Sequence, residues 1–267
     1  MLISGPDRPV LVVVAHPDDE TLGAGATIHR LTRAGVPVTT AILVGDASER
    51  HRHPGRGDLR DDTLAAAAVL GSETPIFGGF PNIATNTVPH LDMVRFVEQA
   101  IESTGARTVI TTHPGDINVD HRMVSEAAQA AARRNQRRPE NGCAIDVAFM
   151  EVLSSTEWAY PGAASAFSPN TWVEVGPRDV QAKLDALACY RDVMRPFPHP
   201  RSSETLRASL AVAGSAAGVP AAERFQSVFT LEPLEPLGPS EPGETLEPCE
   251  PLEPSETRQF DRAASRG

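Results

Sequence analysis

The residues best suited to chemistry stand in two short clusters. One is His16-Pro17-Asp18-Asp19-Glu20; the other runs from His113 through Pro114, Gly115, Asp116, Ile117, Asn118, Val119 and Asp120 to His121 and Arg122. Imidazole and carboxylate are ligand types that suit Zn²⁺, and a catalytic ion is held by three protein groups with a further position left open. A carboxylate beside the ligands, itself not bound to the ion, is what an attacking water needs as its base. With His16, Asp19 and His121 as ligands, Asp18 is left for that task. The arrangement works only if both clusters reach the same edge of one sheet.

The elements that must position them can be read from the apolar pattern. Residues 10–15 are six unbroken apolar residues rich in Val, the pattern of a strand buried on both faces of a parallel sheet. Residues 107–112 lead into the second cluster in the same way, and a helix is predicted from His121 to Ala132. Two such strands side by side would deliver their loops to the carboxyl rim of an open α/β sheet, where ligands bind. Between them the chain predicts a helix over 21–34, with Leu22, Ile28 and Leu31 among small residues and Gly35 as its cap. A strand over 36–44 follows, then a polar stretch over 49–57 and a helix capped by Asp58 and ending at Gly71. Next come a short strand over 75–77 and a helix over 91–104 with the stripe Leu91, Val94, Val97 and Ile101.

Beyond the second cluster, strands are expected over 144–153 and 171–175, and helices over 178–194 and 202–217. Residues 222–229 close the domain. The alternation predicts a three-layer, Rossmann-like, mostly parallel α/β sheet with helices on both faces, one catalytic domain over residues 1–230. A dinucleotide is not expected. Gly23-Ala24-Gly25 lacks the third glycine, and His16 to Glu20 fills the turn that a pyrophosphate needs.

The net charge of -11 is unevenly placed. Residues 231–257 hold eight Glu and no Lys or Arg, so the remainder carries only -3. That leaves no basic field for nucleic acid. The same stretch reads as nine triplets with recurrent Pro, the period of a polyproline II rod, and residues 231–267 are expected to be a disordered tail whose partner is unknown. Cys143, Cys189 and Cys249 form no Cys-x-x-Cys, which favours a reduced, cytoplasmic setting. No leader pattern opens the chain, and no apolar run has membrane-spanning length, so no membrane partner is expected.

Ala15-His16-Pro17-Asp18-Asp19-Glu20 with the later Asp120-His121-Arg122 resembles the zinc-dependent sugar N-deacetylases of the LmbE/PIG-L family. The resemblance covers roughly residues 8–230. The pattern from His113 to Arg122, Ser154-Ser155-Thr156-Glu157-Trp158 and His199-Pro200-Arg201-Ser202 are similar to one bacterial branch. It implies a Zn²⁺ hydrolase that removes acetyl from an N-acetylglucosamine-type sugar on a small soluble conjugate such as a pseudodisaccharide, a thiol glycoside or an antibiotic aminosugar. The same ligands would accept Fe²⁺.

Many members carry His-x-x-His, but here Asn118 stands three residues before His121, as in that branch. An amide can donate to an oxyanion but cannot act as an acid. Asn118 and His199 are therefore grouped with Asp18 as catalytic residues, the proton for the amine falling to His199, to His113 or to Asp18 itself. Two departures concern the substrate: Asn82 stands where the branch carries a carboxylate, and Ala213 where it carries an arginine before Gly214. Arg60 and Asp62 only loosely match an Arg/Glu pair usual in the family. Asp46, Arg60, Arg122, Glu157 and Arg201 are candidates to hold sugar hydroxyls, each equally serviceable as a cap or salt bridge. The alternatives are a zinc amidase for a larger conjugate and a catalytically impaired metal- or sugar-binding protein with an interaction tail. A homo-oligomer is allowed by either.

Overall fold

The computed structural model describes residues 8–44, 59–136, 145–159 and 166–231. Contacts divide the chain into two units, Met1–Glu232 and Pro233–Gly267, and all the described residues belong to the first. The expected tail, the Asp58 cap, the polar stretch 49–57, Asp46, Cys143 and Cys249 lie outside the described residues.

At the centre lies β1 (Val10–Val14), every residue buried. It pairs in parallel with β2 (Val38–Ile42) on one side and β4 (Thr108–Thr112) on the other, with Val13 opposite Thr111. Parallel pairing continues to β3 (Ile76–Phe77) beside β2 and to β5 (Asp146–Met150) beside β4. The last two strands run against the rest: β7 (Ala222–Phe229) is antiparallel to both β5 and β6 (Thr171–Glu174). The seven-stranded order is β3-β2-β1-β4-β5-β7-β6. Strand order reverses between β1 and β4, and at that switch point the loops leaving adjacent carboxyl ends diverge and open a crevice.

Among the described residues, six α-helices accompany the sheet: α1 (Asp19–Arg33), α2 (Leu59–Leu70), α3 (His90–Thr104), α4 (Val119–Gln136), α5 (Pro177–Cys189) and α6 (Ser203–Ala217). Successive residues of β1 point to opposite faces. Val10, Val12 and Val14 join a core with Leu22, Ile28 and Leu31 of α1 and Leu184 and Leu187 of α5. Leu11, Val13 and Ala15 join a second core with Met93, Val97 and Ile101 of α3 and Val124 and Ala127 of α4. The sheet is thus covered on both sides, and the three-layer expectation holds.

Two expected elements differ. Leu91 is exposed, and the inward stripe of α3 runs through Met93, Val94, Val97, Ala100 and Ile101. At 100° per residue, Leu91 lies about 120° from the centre of that stripe. The helix expected over 178–194 stops at Cys189, where Tyr190 takes an extended conformation (φ -80°, ψ 121°). Its hydroxyl donates to Glu20 Oε1 at 2.5 Å, and the next backbone N–H, from Arg191, donates to Asp62. The Asp62 carboxylate thus takes a backbone N–H that would otherwise continue the helix.

Close packing explains the small residues of α1. A methyl group on Gly23 would run into the Met150 thioether, and one on Gly25 would meet Lys183 Cγ at 3.1 Å. Among the described residues, no helix is long and apolar enough to cross a membrane.

Candidate metal centre

β1 ends at Val14 and α1 begins at Asp19, so His16, Asp18 and Asp19 occupy a tight strand-to-helix turn. The turn bends through Asp18, whose φ of 108° is costly for a residue with a side chain. His16 N–H donates to Asp19 Oδ2 at 2.8 Å, which folds the Asp19 carboxylate back toward the imidazole. On the neighbouring strand, Thr112 Oγ1 donates to the His121 carbonyl at 2.9 Å and ties the first turn of α4 to the end of β4.

These constraints bring three donor atoms together. His16 Nδ1 lies 3.3 Å from Asp19 Oδ2 and 3.3 Å from His121 Nε2; His121 Nε2 lies 3.2 Å from Asp19 Oδ2. A tetrahedral ion with ligands at about 2.0 Å separates them by about 3.3 Å, so the triangle fits Zn²⁺ without rearrangement. All three residues are buried.

Each imidazole is held from behind by a carboxylate. His16 Nε2 lies 3.0 Å from Asp120 Oδ2, and His121 Nδ1 lies 3.1 Å from Asp116 Oδ2. Asp120 is itself anchored by the N–H groups of Ile83 (2.6 Å) and Thr85 (3.1 Å) and by the Thr85 hydroxyl (2.6 Å). Asp116 accepts from Ser155 Oγ, from Thr156 Oγ1 at 2.7 Å and from Asn118 N–H at 2.8 Å. Carboxylates placed behind histidine ligands fix the tautomer and turn the other ring nitrogen inward.

The electrostatics follow from this crowding. Burial works against charge on His121, but the Asp19 charge and the bonds to Asp116 and Asp19 raise its pKa to about 10. His16 is also raised, burial being outweighed by Asp120 and Asp19. Asp19 is held well below the usual carboxylate range despite burial, because both imidazoles face it. Asp120 falls to about 2 against its burial, through His16 and the Thr85 and Ile83 donors. Glu20 goes the other way. Burial and the Asp18 charge raise it to about 7, even with donors from Thr21 and Tyr190.

The remaining candidates are placed as follows. Asp18 Oδ2 lies 3.1 Å from Arg201 Nη1, and Arg201 Nε donates to Ser154 Oγ at 2.9 Å. Arg201 N–H donates to His199 Nδ1 at 3.0 Å, so a neutral His199 carries its proton on Nε2. Asn118 Oδ1 accepts from Asp120 N–H at 2.9 Å at the start of α4, which leaves the amide Nδ2 as its donor. Arg122 Nη1 donates to the carbonyls of Asp116 (2.8 Å) and Ile117 (2.7 Å), and Glu157 accepts from Ser154 and Ser155 N–H; both side chains clamp site loops. Arg60 stacks over Phe77 at 5.0 Å. His113 is wedged between Phe149 and Phe167, its centroid 5.4 and 5.6 Å from theirs, and burial lowers its pKa.

Asn82 is buried with neither amide atom hydrogen-bonded. The residue after it, Ile83, has φ 58°, and Ser154 has φ 73°. Three of the four non-glycine residues with positive φ among those described, Asp18, Ile83 and Ser154, therefore belong to the site loops.

Reading the sequence for ligands alone passed over Asp116, Asp120, Ser155 and Thr156. The first two stood in view, five residues and one residue before His121. Ser155 and Thr156 had no chemical signal of their own, and only the β5 loop brings them to Asp116.

Residues 11–132 match the family model described as PIG-L, GlcNAc-PI de-N-acetylase. Among curated proteins, the chain is 29% identical over 134 residues to the uncharacterized deacetylase YaiS of Escherichia coli K12, covering 47% of this chain and 69% of that one. It is 31% identical over 147 residues to a probable N-acetyl-alpha-D-glucosaminyl L-malate deacetylase 2 of Bacillus cereus, covering 50% of this chain and 66% of that one. Among solved structures, GalB, the 4-carboxy-2-hydroxymuconate hydratase of Pseudomonas putida KT2440, superposes with a TM-score of 0.65 at 19% identity, over 85% of this chain and 99% of that one. The matched stretch carries both clusters of the donor triangle, and both curated relatives that it resembles bear deacetylase names. The hydratase shares the fold, so the fold alone does not choose the reaction.

Proposed function

We propose that this chain is a metal-dependent deacetylase that releases acetate from an N-acetylglucosamine-type sugar carried on a small conjugate, with Zn²⁺ or Fe²⁺ held by His16, Asp19 and His121. The observation that carries the reading is the buried triangle of donor atoms at 3.2–3.3 Å with a fourth polar side chain, Asp18, beside it in the same turn. A divalent ion there supplies a Lewis acid for the amide carbonyl and lowers the pKa of water. The curated relatives whose names specify deacetylation support the choice of an amide over other carbonyl substrates.

The work of the protein groups then divides as follows. Asp18 accepts the proton of the attacking water on its carboxylate, whose orientation is set by Arg201, itself steadied by Ser154. Asn118 Nδ2 donates to the carbonyl oxygen as negative charge builds there. The departing nitrogen needs a proton that Asn118 cannot supply. Burial lowers the pKa of His113, which two phenylalanine rings enclose. Asp18 therefore returns the proton it took, and His199 acts by holding Arg201 through Nδ1. Asn82, with an unbonded amide in the buried Asn82–Ile83 turn, serves a sugar hydroxyl in place of a carboxylate. Arg60 and Asp46 remain candidates for the outer sugar contacts.

The test is acetate release from a panel of N-acetylglucosaminides by purified protein, with chelation and metal return. Activity lost to chelator and restored by Zn²⁺ supports the reading. Asp18→Ala should retain the ion and lose about 10²–10⁴-fold in kcat, the usual contribution of a positioned acid–base group. No release from any member by protein carrying one equivalent of metal would instead leave a binding protein on a hydrolase scaffold.

A further inference from the structure

Asp18 stands at the N-cap of α1, yet its side chain makes no capping hydrogen bond there. A capping aspartate ordinarily turns its carboxylate onto the N–H groups of the first helical turn. That of Asp18 reaches Arg201 at 3.1 Å instead, and the backbone beneath it is held at φ 108°. Two bonds hold that backbone. The Asp18 carbonyl accepts from Leu22 N–H at 2.8 Å, the first bond of the helix, and the Asp18 N–H donates to Glu20 Oε2 at 3.1 Å. Glu20 thus takes the part that the third helical residue plays in a capping box.

The other oxygen of Glu20 is held by two hydroxyls, from Thr21 and from Tyr190, each at 2.5 Å. Thr21 belongs to the same turn and moves with it. Tyr190 follows the last residue of α5, and its ring is buried in the core with Leu22 of α1, Leu70 of α2 and Leu187 of α5. Burial and the Glu20 charge raise its pKa well above the usual tyrosine value, so the hydroxyl keeps the proton it donates. The two ligands of the turn have ties of their own: His16 N–H to Asp19 Oδ2, and Asp19 N–H to the His16 carbonyl at 3.3 Å. The contact from Tyr190 therefore bears on Asp18.

We infer that Tyr190 is a positioning residue for the general base: through Glu20 it braces the strained Asp18 backbone, so that the Asp18 carboxylate meets the attacking water. This rests on the deacetylase reading above. Arg201 fixes the carboxylate at its far end, and Tyr190 fixes the backbone from which it springs.

The test compares kcat and KM for an N-acetylglucosaminide in zinc-loaded wild type, Tyr190→Phe, Asp18→Ala and the double variant. Misplacing a reacting group by about 1 Å can cost about 100-fold, so Tyr190→Phe should lower kcat by about 10- to 100-fold with KM and bound Zn²⁺ unchanged. In the Asp18→Ala background the same change should cost less than about twofold, because a brace has no effect once the carboxylate it positions is gone. A second readout needs no turnover. Amide hydrogen exchange followed by NMR should show the Asp18 N–H exchanging at least about tenfold faster in Tyr190→Phe, with Val12 of β1 unchanged.

Full kcat in Tyr190→Phe, or unchanged exchange at Asp18, overturns the inference. An equal loss in both backgrounds also overturns it and makes Tyr190 a residue of stability alone. No acetate release by the wild type defeats the deacetylase reading itself; faster exchange at Asp18 would then still show the brace, and unchanged exchange would remove that too.

Discussion

The first turns of α1, which carry Asp18 and Asp19, are fastened to the rest of the domain by a buried ion pair. Lys183 Nζ, from α5, lies 2.6 Å from Glu223 Oε1, from β7, and donates to the Leu22 carbonyl at 2.7 Å. Glu223 in turn accepts from Ala26 N–H at 3.1 Å and Thr27 N–H at 2.7 Å. Both side chains are almost wholly buried. In a regular helix the Leu22 carbonyl takes the Ala26 N–H; here the lysine and the glutamate also bridge those two groups. Lys183→Met keeps most of the volume and removes the cation. Breaking a buried pair costs about 3–5 kcal/mol, and the two amide donors that remain on Glu223 offset part of this at about 1 kcal/mol each, leaving a loss of roughly 1–3 kcal/mol. Glu223→Leu strands an ammonium on one carbonyl and removes a second acceptor from two helical N–H groups, so about 3–5 kcal/mol is expected. In the double variant both charges are gone, and no unpaired ion is left in the interior. The double variant should therefore be more stable than Glu223→Leu alone, with a coupling larger than the loss measured for Lys183→Met. Urea denaturation followed by circular dichroism, with m-values compared across the four proteins, measures each term. Losses that add to within about 0.5 kcal/mol would refute the bridging argument.

Other outcomes follow from single groups. Asp116→Asn removes the carboxylate behind His121 and should weaken Zn²⁺ binding by about 10- to 100-fold in a chelator competition assay; unchanged affinity would mean that Ser155, whose hydroxyl lies 3.5 Å from His121 Nδ1, holds the ring unaided. In metal-free protein, Glu20 has its pKa raised from 4.5 to about 7. The folded state therefore binds the proton more tightly, and stability present below pH 4.5 is lost as pH rises to 7. The difference of 2.5 units corresponds to about 3 kcal/mol. Glu20→Gln should remove that slope, and denaturation curves that keep it would assign the slope elsewhere. Asn82→Leu replaces a buried amide without partners and should gain about 1–2 kcal/mol in stability, while the KM for an N-acetylglucosaminide rises. A fall in stability would make Asn82 a structural residue.

The fold was legible because β1 and β4 are buried on both faces and so lack polar alternation, while the helices between them cap at Gly35, Gly71 and Gly105. The ligands were legible because His16 and Asp19 lie three residues apart in one turn, and His121 opens the helix after a similar strand. What the sequence could not show is what each polar side chain does when its partner is remote. Arg122 and Glu157 spend their groups on loop backbone, a choice made by turn geometry and not by residue type. Arg201 meets Asp18 across 183 positions of sequence. Tyr190 leaves α5 for a carboxylate on α1, an exchange that outweighs the helical periodicity continuing to Met194. The strained φ of Ile83 is equally invisible in sequence, since a β-branched residue disfavours that conformation, and its N–H there donates to Asp120.

The charge balance of the site leads to a final expectation. Asp116 and Asp120 each face one imidazole from outside, and Asp18 faces Arg201. Asp19 Oδ2 faces both rings from the inside, and its charge, with the bond to Asp116, raises the His121 pKa to about 10 against burial. A divalent cation needs His16 Nδ1 and His121 Nε2 as lone pairs, so it must displace protons from the inward nitrogens while the outward N–H groups stay on Asp120 and Asp116. At pH 7, His121 contributes about one proton, and His16, raised in the same sense, adds a fraction of another. Calorimetric titration with Zn²⁺ in buffers of different ionisation enthalpy should therefore report between one and two protons released, and affinity should fall by about 10- to 100-fold for each pH unit of acidification between 8 and 6. Zero proton release would mean that the inward nitrogens are already bare at neutral pH. The three carboxylates would then not be holding the imidazoles in the way the distances imply.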